Sequence, residues 1–149
     1  MNIKEKDSLY VANTYARFPL TLKKGEGSVV FDDEGKEYID LATGIAVNSF
    51  GYCDKEWVGA VTNQLNTLQH ASNLYYTEPC AKLAALLCEK SGMKKVFFCN
   101  SGAEANECVI KIARKYGAEK KGADCYTIVT LENSFHGRTI TTLSATGQD

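Results

Sequence analysis

Lys95-Val96-Phe97-Phe98-Cys99-Asn100-Ser101-Gly102-Ala103-Glu104 carries a short apolar run straight into a helix start. Lys95–Cys99 reads as a buried strand. Ser101, with Glu104 three residues later, has the spacing of a capping box and marks a helix N-terminus. Beyond it, Ala105, Cys108, Val109, Ile112, Ala113 and Tyr116 recur at three- and four-residue spacing, so a helix is expected over about Ala103 to Tyr116. A second apolar run, Cys125–Leu131, reads as another buried strand. Strand, helix, strand in so short a span is a βαβ unit, and a parallel sheet is the expected core.

Upstream, the first fifty residues read as β-rich and irregular. Ser28–Phe31, the turn Asp32-Asp33-Glu34-Gly35 and Lys36–Leu41 form a hairpin signal, with Gly35 supplying the positive φ of the turn. Pro19 disfavours helix at Phe18, so Arg17–Leu20 is expected to be extended. From Asp54, a plausible N-cap, the period becomes helical: Val58, Val61, Leu65 and Leu68 share a face. A further helix is expected from about Glu78 to Ser91, capped by Thr77, with Pro79 in its first turn and Gly92 closing it. Two buried-type strands are too few for a stable parallel sheet covered on both faces. The chain therefore reads as one part of a larger α/β fold.

Composition narrows the function classes. The 149 residues carry 17 Lys+Arg against 18 Asp+Glu, a net charge of −1, with 44% hydrophobic and 23% charged residues. So balanced a charge gives no reason to expect nucleic acid or an acidic membrane as partner. No apolar run approaches the roughly 20 residues of a membrane span. The acidic residues and missing apolar core of MNIKEKDSLYV argue against a secretory or transit segment, so a cytoplasmic location is expected. Cys53, Cys80, Cys88, Cys99, Cys108 and Cys125 match no zinc-ligand spacing, and His70 and His136 are the two histidines. The cysteines are expected to act as small hydrophobes, and no metal is implied.

Three features converge on a ligand. The N–H groups at Ser101-Gly102-Ala103 open a helix whose dipole favours an anion, and Gly102 allows close approach. A plain helix cap fits the same local pattern. The second run opens into Glu132-Asn133-Ser134-Phe135-His136-Gly137-Arg138-Thr139, and the ends of parallel strands are where ligands bind. Phe135 offers a face for a planar ring and Arg138 a fork for a carboxylate. Each has a plainer reading: Phe135 as core, His136 as a hydrogen-bonded loop residue, Arg138 paired with Glu132, Arg114 as a solvated charge. Together, phosphate cradle, ring platform and clamp suggest a phosphorylated planar cofactor and an amino-acid-like substrate.

Phe98–Glu107, Lys111-Ile112-Ala113-Arg114 and Ser134–Thr139 closely resemble the class III pyridoxal-phosphate aminotransferases, with support from Tyr38-Ile39-Asp40, Gly44–Asn48 and Ser72–Pro79. The resemblance runs in order through nearly the whole chain. It implies the N-terminal portion of a fold-type I transferase: a partial, mostly parallel sheet with flanking helices, plus a small β-rich segment. Residues 1–50 would belong to the small domain and 51–149 to the first part of the large, cofactor-binding domain. Ser101, Gly102, Ala103, Phe135 and His136 would hold pyridoxal 5′-phosphate. Arg138, Tyr15 and Gly44 would bind substrate, Gly44 leaving room for an acetylated amine where ornithine-specific members carry tyrosine. The implied reaction transfers the δ-amino group of N2-acetylornithine to 2-oxoglutarate in arginine biosynthesis. Ornithine, succinylornithine and 4-aminobutyrate are the neighbouring substrates. The implied assembly is a homodimer, with Tyr75-Tyr76 near its interface. Gly51-Tyr52-Cys53-Asp54-Lys55 departs from the family's glycine-histidine-x-histidine-proline run. No lysine here matches the one that bonds the cofactor, so the expectation is no catalytic residue in this chain and no transamination by it alone. A non-catalytic fragment or pseudo-enzyme is the rival reading.

Overall fold

A computed structural model describes residues 1–148. Its elements run α1 (Ile3–Tyr10), β1 (Leu22–Glu26), β2 (Val29–Asp32), β3 (Glu37–Ile39), α2 (Thr43–Ala46), α3 (Lys55–Thr67), α4 (Glu78–Ser91), α5 (Gly102–Lys121) and α6 (Ile140–Ala145). They divide into two compact units, Met1–Tyr75 and Tyr76–Asp149.

The first unit is built on an antiparallel sheet in the order β1-β2-β3. The expected hairpin is present: Val29 faces Ile39, Val30 faces Tyr38, and Phe31 faces Glu37. Asp32 closes it, accepting from the N–H groups of Glu34 (3.0 Å) and Lys36 (2.8 Å) and from the Tyr38 hydroxyl (2.9 Å). Gly35 takes φ 84°, as the turn requires. Val30, 5% exposed, is the buried hydrophobic residue among those described. β1 and α1 lie outside the elements expected from the sequence pattern. Leu22–Glu26 has no apolar alternation and becomes a strand only by pairing with β2. α1 starts from Asn2, whose side chain accepts from Glu5 N–H (2.9 Å) while the Glu5 carboxylate accepts from Asn2 N–H (2.8 Å), a capping box built on asparagine.

α2 is a left-handed turn. Thr43, Gly44, Ile45 and Ala46 have φ of 50°, 62°, 60° and 63°. Three of these are not glycine, at about 1–2 kcal/mol each. Asp40 offsets that strain by accepting from Ala42 N–H (2.8 Å) and Thr43 N–H (3.0 Å), and Tyr52 hydroxyl donates to its other oxygen at 2.7 Å. α3 begins as expected, with Asp54 accepting from Trp57 N–H at 2.8 Å.

In the second unit α4 has the expected limits, with Gly92 in the left-handed C-cap conformation (φ 71°). The Thr77 hydroxyl makes no capping bond. α5 continues beyond the expected Tyr116 to Lys121. Ala118, Glu119 and Lys120 are strong helix formers, and Lys120 and Lys121 suit a C-terminal dipole. Gly117, buried, lets the Cys125 carbonyl pass against the helix.

The two expected buried strands are not formed as ladders. Neither Lys95–Cys99 nor Cys125–Leu131 is assigned as strand, and the sheet among the described residues belongs to the first unit. A βαβ crossover sets direction, not adjacency, and each run needs a neighbour about 4.8 Å away to bond. The side chains of the second run are open as well: Val129 is 88% and Leu131 81% exposed. Total accessible surface is 13275 Å². Two separate globular units of half this mass would together expose about 9,000 Å². None of the six cysteines is fully buried, so the small-hydrophobe role expected of them in the core is not seen. No described helix is long and apolar enough to cross a membrane.

Candidate functional site

The second unit draws six of the eight expected site residues into two adjoining segments, the N-terminus of α5 and the loop before α6. Ser101, with extended backbone (φ −156°, ψ 160°), is the N-cap, and its Oγ accepts from Glu104 N–H at 3.2 Å. The first helical bond is Ala105 N–H to Ser101 C=O at 3.1 Å. The Glu104 carboxylate turns back beyond the cap and accepts from Asn100 N–H at 2.5 Å. Gly102 and Ala103 N–H therefore lie ahead of the helical ladder. The Ser101 hydroxyl, already accepting, keeps its proton to donate. A Cβ on Gly102 would meet nothing within 4 Å, so the space beside this residue is open. Two backbone donors, a hydroxyl and a helix dipole suit a phosphate group.

The loop is fastened to that helix end. Gly137 has φ 133°, and a Cβ there would stand 2.6 Å from the Ala103 Cβ, so glycine is required for the approach. Asn106 Nδ2 donates to His136 C=O at 2.8 Å, and Thr139 Oγ1 donates to Glu107 Oε1 at 2.6 Å. Thr139 also caps α6 together with the fully buried Thr142. The Thr139 hydroxyl holds the Glu107 carboxyl below its ordinary value against an opposing effect of burial, with Thr141 and Lys111 adding to the lowering. Sequence reasoning missed Asn106, Glu107, Thr139 and Thr142. The loop's own signal was Gly137 followed by Thr139, a turn residue and a cap.

Phe135 is 59% exposed and so is not core. Its ring lies under the Arg138 guanidinium at 5.1 Å, and Arg138 Nη2 donates to Gln148 Oε1 at 3.2 Å rather than pairing with Glu132. His136 N–H donates to Thr146 Oγ1 at 3.0 Å, and its Nε2 is buried without a hydrogen-bond partner. Arg114, expected to be solvated, stacks on Tyr126 at 5.6 Å. Tyr15 and Gly44 belong to the first unit. Tyr15 is exposed in an irregular segment. Gly44 has φ 62°, and a Cβ there would make only ordinary contacts, the nearest 3.7 Å from Asn48 Nδ2.

The family model "Aminotransferase class-III" matches residues 10–149. Acetylornithine aminotransferase of Haemophilus ducreyi is 56% identical over 98% of this chain and 37% of its own length. That of Methanopyrus kandleri is 51% identical, over 98% of this chain and 36% of its own length. Among solved structures, ornithine aminotransferase of Toxoplasma gondii matches with TM-score 0.92 and 31% identity, over 97% of this chain and 35% of that one. N-acetylornithine aminotransferase of Stenotrophomonas maltophilia matches with TM-score 0.79 and 40% identity, over 89% of this chain and 35% of that one. The chain spans just over a third of the length of these relatives.

Proposed function

The chain belongs to the class III aminotransferases, whose cofactor is pyridoxal 5′-phosphate, and from that premise we propose that it forms the cofactor-phosphate and substrate-carboxylate end of an acetylornithine aminotransferase site. The observation that carries this reading is the open donor set at Ser101-Gly102-Ala103 packed directly against the Phe135–Arg138 loop. The residues fit the cofactor: three donors for its phosphate, a largely exposed aromatic ring at Phe135, and an unpartnered buried nitrogen on His136.

When bound, the cofactor supplies a carbonyl carbon that takes up an amino group and a ring that draws electrons from the bond being broken. This chain's residues bind and orient. Ser101, Gly102 and Ala103 hold the phosphate, and Phe135 stacks on the ring. His136 offers Nε2 to a polar atom of the bound ligand. Arg138 leaves its stack and its bond to Gln148 to grip a carboxylate in bidentate fashion. The family resemblance assigns Tyr15 and Gly44 to the substrate, with Gly44 leaving room for an acetyl group. The reaction is transfer of the δ-amino group of N2-acetylornithine to 2-oxoglutarate, a step toward arginine, in a homodimer. The 40–56% identity to the named acetylornithine enzymes, against 31% to the ornithine enzyme, favours this donor over ornithine. In the complete fold, residues 1–50 belong to the small domain and 51–149 open the large one.

The experiment is a graft. Residues 10–149 replace the matching segment of the Stenotrophomonas maltophilia enzyme, and transamination of acetylornithine and ornithine is assayed. Preference for acetylornithine, lost with Arg138→Ala through a raised KM for both amino donor and 2-oxoglutarate, is the expected result. Preference for ornithine sinks the assignment of the donor.

A further inference from the structure

Asn106 and Glu107 lie one helical turn beyond Gly102 and Ala103, and each reaches across to the loop that carries Phe135 and Arg138. Their partners, His136 C=O and the Thr139 hydroxyl, flank Gly137. Gly137 in turn rests on Ala103, whose N–H is one of the phosphate donors. The anion cradle and the loop therefore share one residue at their junction and two side-chain ties beyond it. We infer that Asn106 and Glu107 are positioning residues that couple the two: filling the cradle at Gly102-Ala103 steadies the Phe135–Arg138 loop, and a docked loop tightens the cradle. The inference rests on the cofactor reading above.

Neither residue faces the cradle as a donor to phosphate, so their effect must pass through the loop. Asn106 supplies a donor to a backbone carbonyl that otherwise has to find water. Glu107, ionised because its carboxyl is held low, supplies a charged acceptor to Thr139. Each tie, if lost, frees the loop by about 5-fold in its opening equilibrium, the usual net effect of one hydrogen bond. Where the cofactor is held only by the docked loop, loosening the loop lowers the competent fraction, so cofactor affinity falls by up to that same factor.

The test is hydrogen–deuterium exchange on the full 149-residue chain, read over residues 134–146, with and without saturating pyridoxal 5′-phosphate. Cofactor affinity is measured separately by equilibrium dialysis. Without ligand, Asn106→Ala and Glu107→Ala are each expected to speed loop exchange about 5-fold. Glu107→Gln, which keeps an acceptor for Thr139, stays within about 2-fold. Exchange across α4, residues 78–91, stays unchanged and separates a local effect from general unfolding. With ligand, the loop slows in the wild type and slows less in the alanine variants, which also bind the cofactor more weakly, by up to about 5-fold. Loop exchange that ignores both alanine substitutions overturns the tie itself. Equal protection and equal affinity in all variants overturns the coupling. A wild-type chain that takes up no cofactor refutes the cofactor reading and the coupling with it, while the ligand-free comparison still decides whether Asn106 and Glu107 hold the loop.

Discussion

Gly137→Ala tests the junction on which the site depends. The added methyl would stand 2.6 Å from the Ala103 Cβ, 2.7 Å from the Thr142 Oγ1 and 3.0 Å from the Ala103 Cα. Thr142 is fully buried and Ala103 lies in the first turn of α5, so neither yields without moving its helix. Overpacking of this kind costs about 1–3 kcal/mol. Forcing a residue with a Cβ to φ 133° costs roughly another 1–3 kcal/mol. The expected loss is about 2–6 kcal/mol, a large share of the 5–15 kcal/mol that holds an ordinary domain. Urea unfolding of the chain, followed by far-ultraviolet circular dichroism, measures it. In an Ala103→Gly background the share due to the Ala103 methyl is recovered, so the same substitution costs less there. A change within about 0.5 kcal/mol in the original background, or an identical loss in both, refutes the close approach.

Two further perturbations read other parts of the structure. Burial pushes the Asp32 carboxyl up, but the Lys36 N–H, the Tyr38 hydroxyl and the Glu34 N–H together bring it below its ordinary 3.8. Its contribution to the hairpin is therefore fully present above that value and is lost as pH falls through the lowered one. A carboxyl NMR titration should place Asp32 below 3.8, and Tyr38→Phe should move it upward; no movement would remove the Tyr38 hydroxyl from the account. Val129→Ser, at an 88% exposed position, should change the stability of this chain by no more than about 0.5 kcal/mol. Val30→Ala, at a 5% exposed one, should cost about 2 kcal/mol. A larger loss at Val129 than at Val30 would mean that the Cys125–Leu131 run is covered in solution.

What could be read from residues alone was the chemistry that acts within a few positions. Asp54, Gly92 and Ser101 mark the limits of α3, α4 and α5, and Gly35 marks the hairpin turn, because caps and turns bond locally. β1 was not legible: Leu22–Glu26 gains its strand character from Val29–Asp32 across the ladder. The apolar runs Lys95–Cys99 and Cys125–Leu131 have the pattern of buried strands, but a strand needs a neighbour, and none bonds them among the described residues. α6 escaped notice because Thr139 and Thr142 resemble loop residues until they cap one another. Ser101, Gly102, Phe135 and Arg138 stood out by type and place. Asn106 and Glu107 did not, since their partners lie thirty and thirty-two residues away and only the folded chain brings them together.

The central claim is that the first turn of α5 holds the cofactor phosphate, and Gly102→Pro tests it most directly. Gly102 is the first helical residue, where proline is favoured and its missing N–H leaves no helical bond unmade. Ser101 already has the extended backbone that a following proline demands, and the space at the Gly102 Cβ is free. The helix should therefore stand unchanged or slightly firmer. One donor to the phosphate is lost, at about 1.5–3 kcal/mol for a bond to a charged group, or roughly 10- to 150-fold in affinity. Equilibrium dialysis with pyridoxal 5′-phosphate should show that fall, while binding of pyridoxal, which lacks the phosphate, stays as weak as before. Undiminished affinity for pyridoxal 5′-phosphate in a Gly102→Pro chain of normal stability would contradict the account.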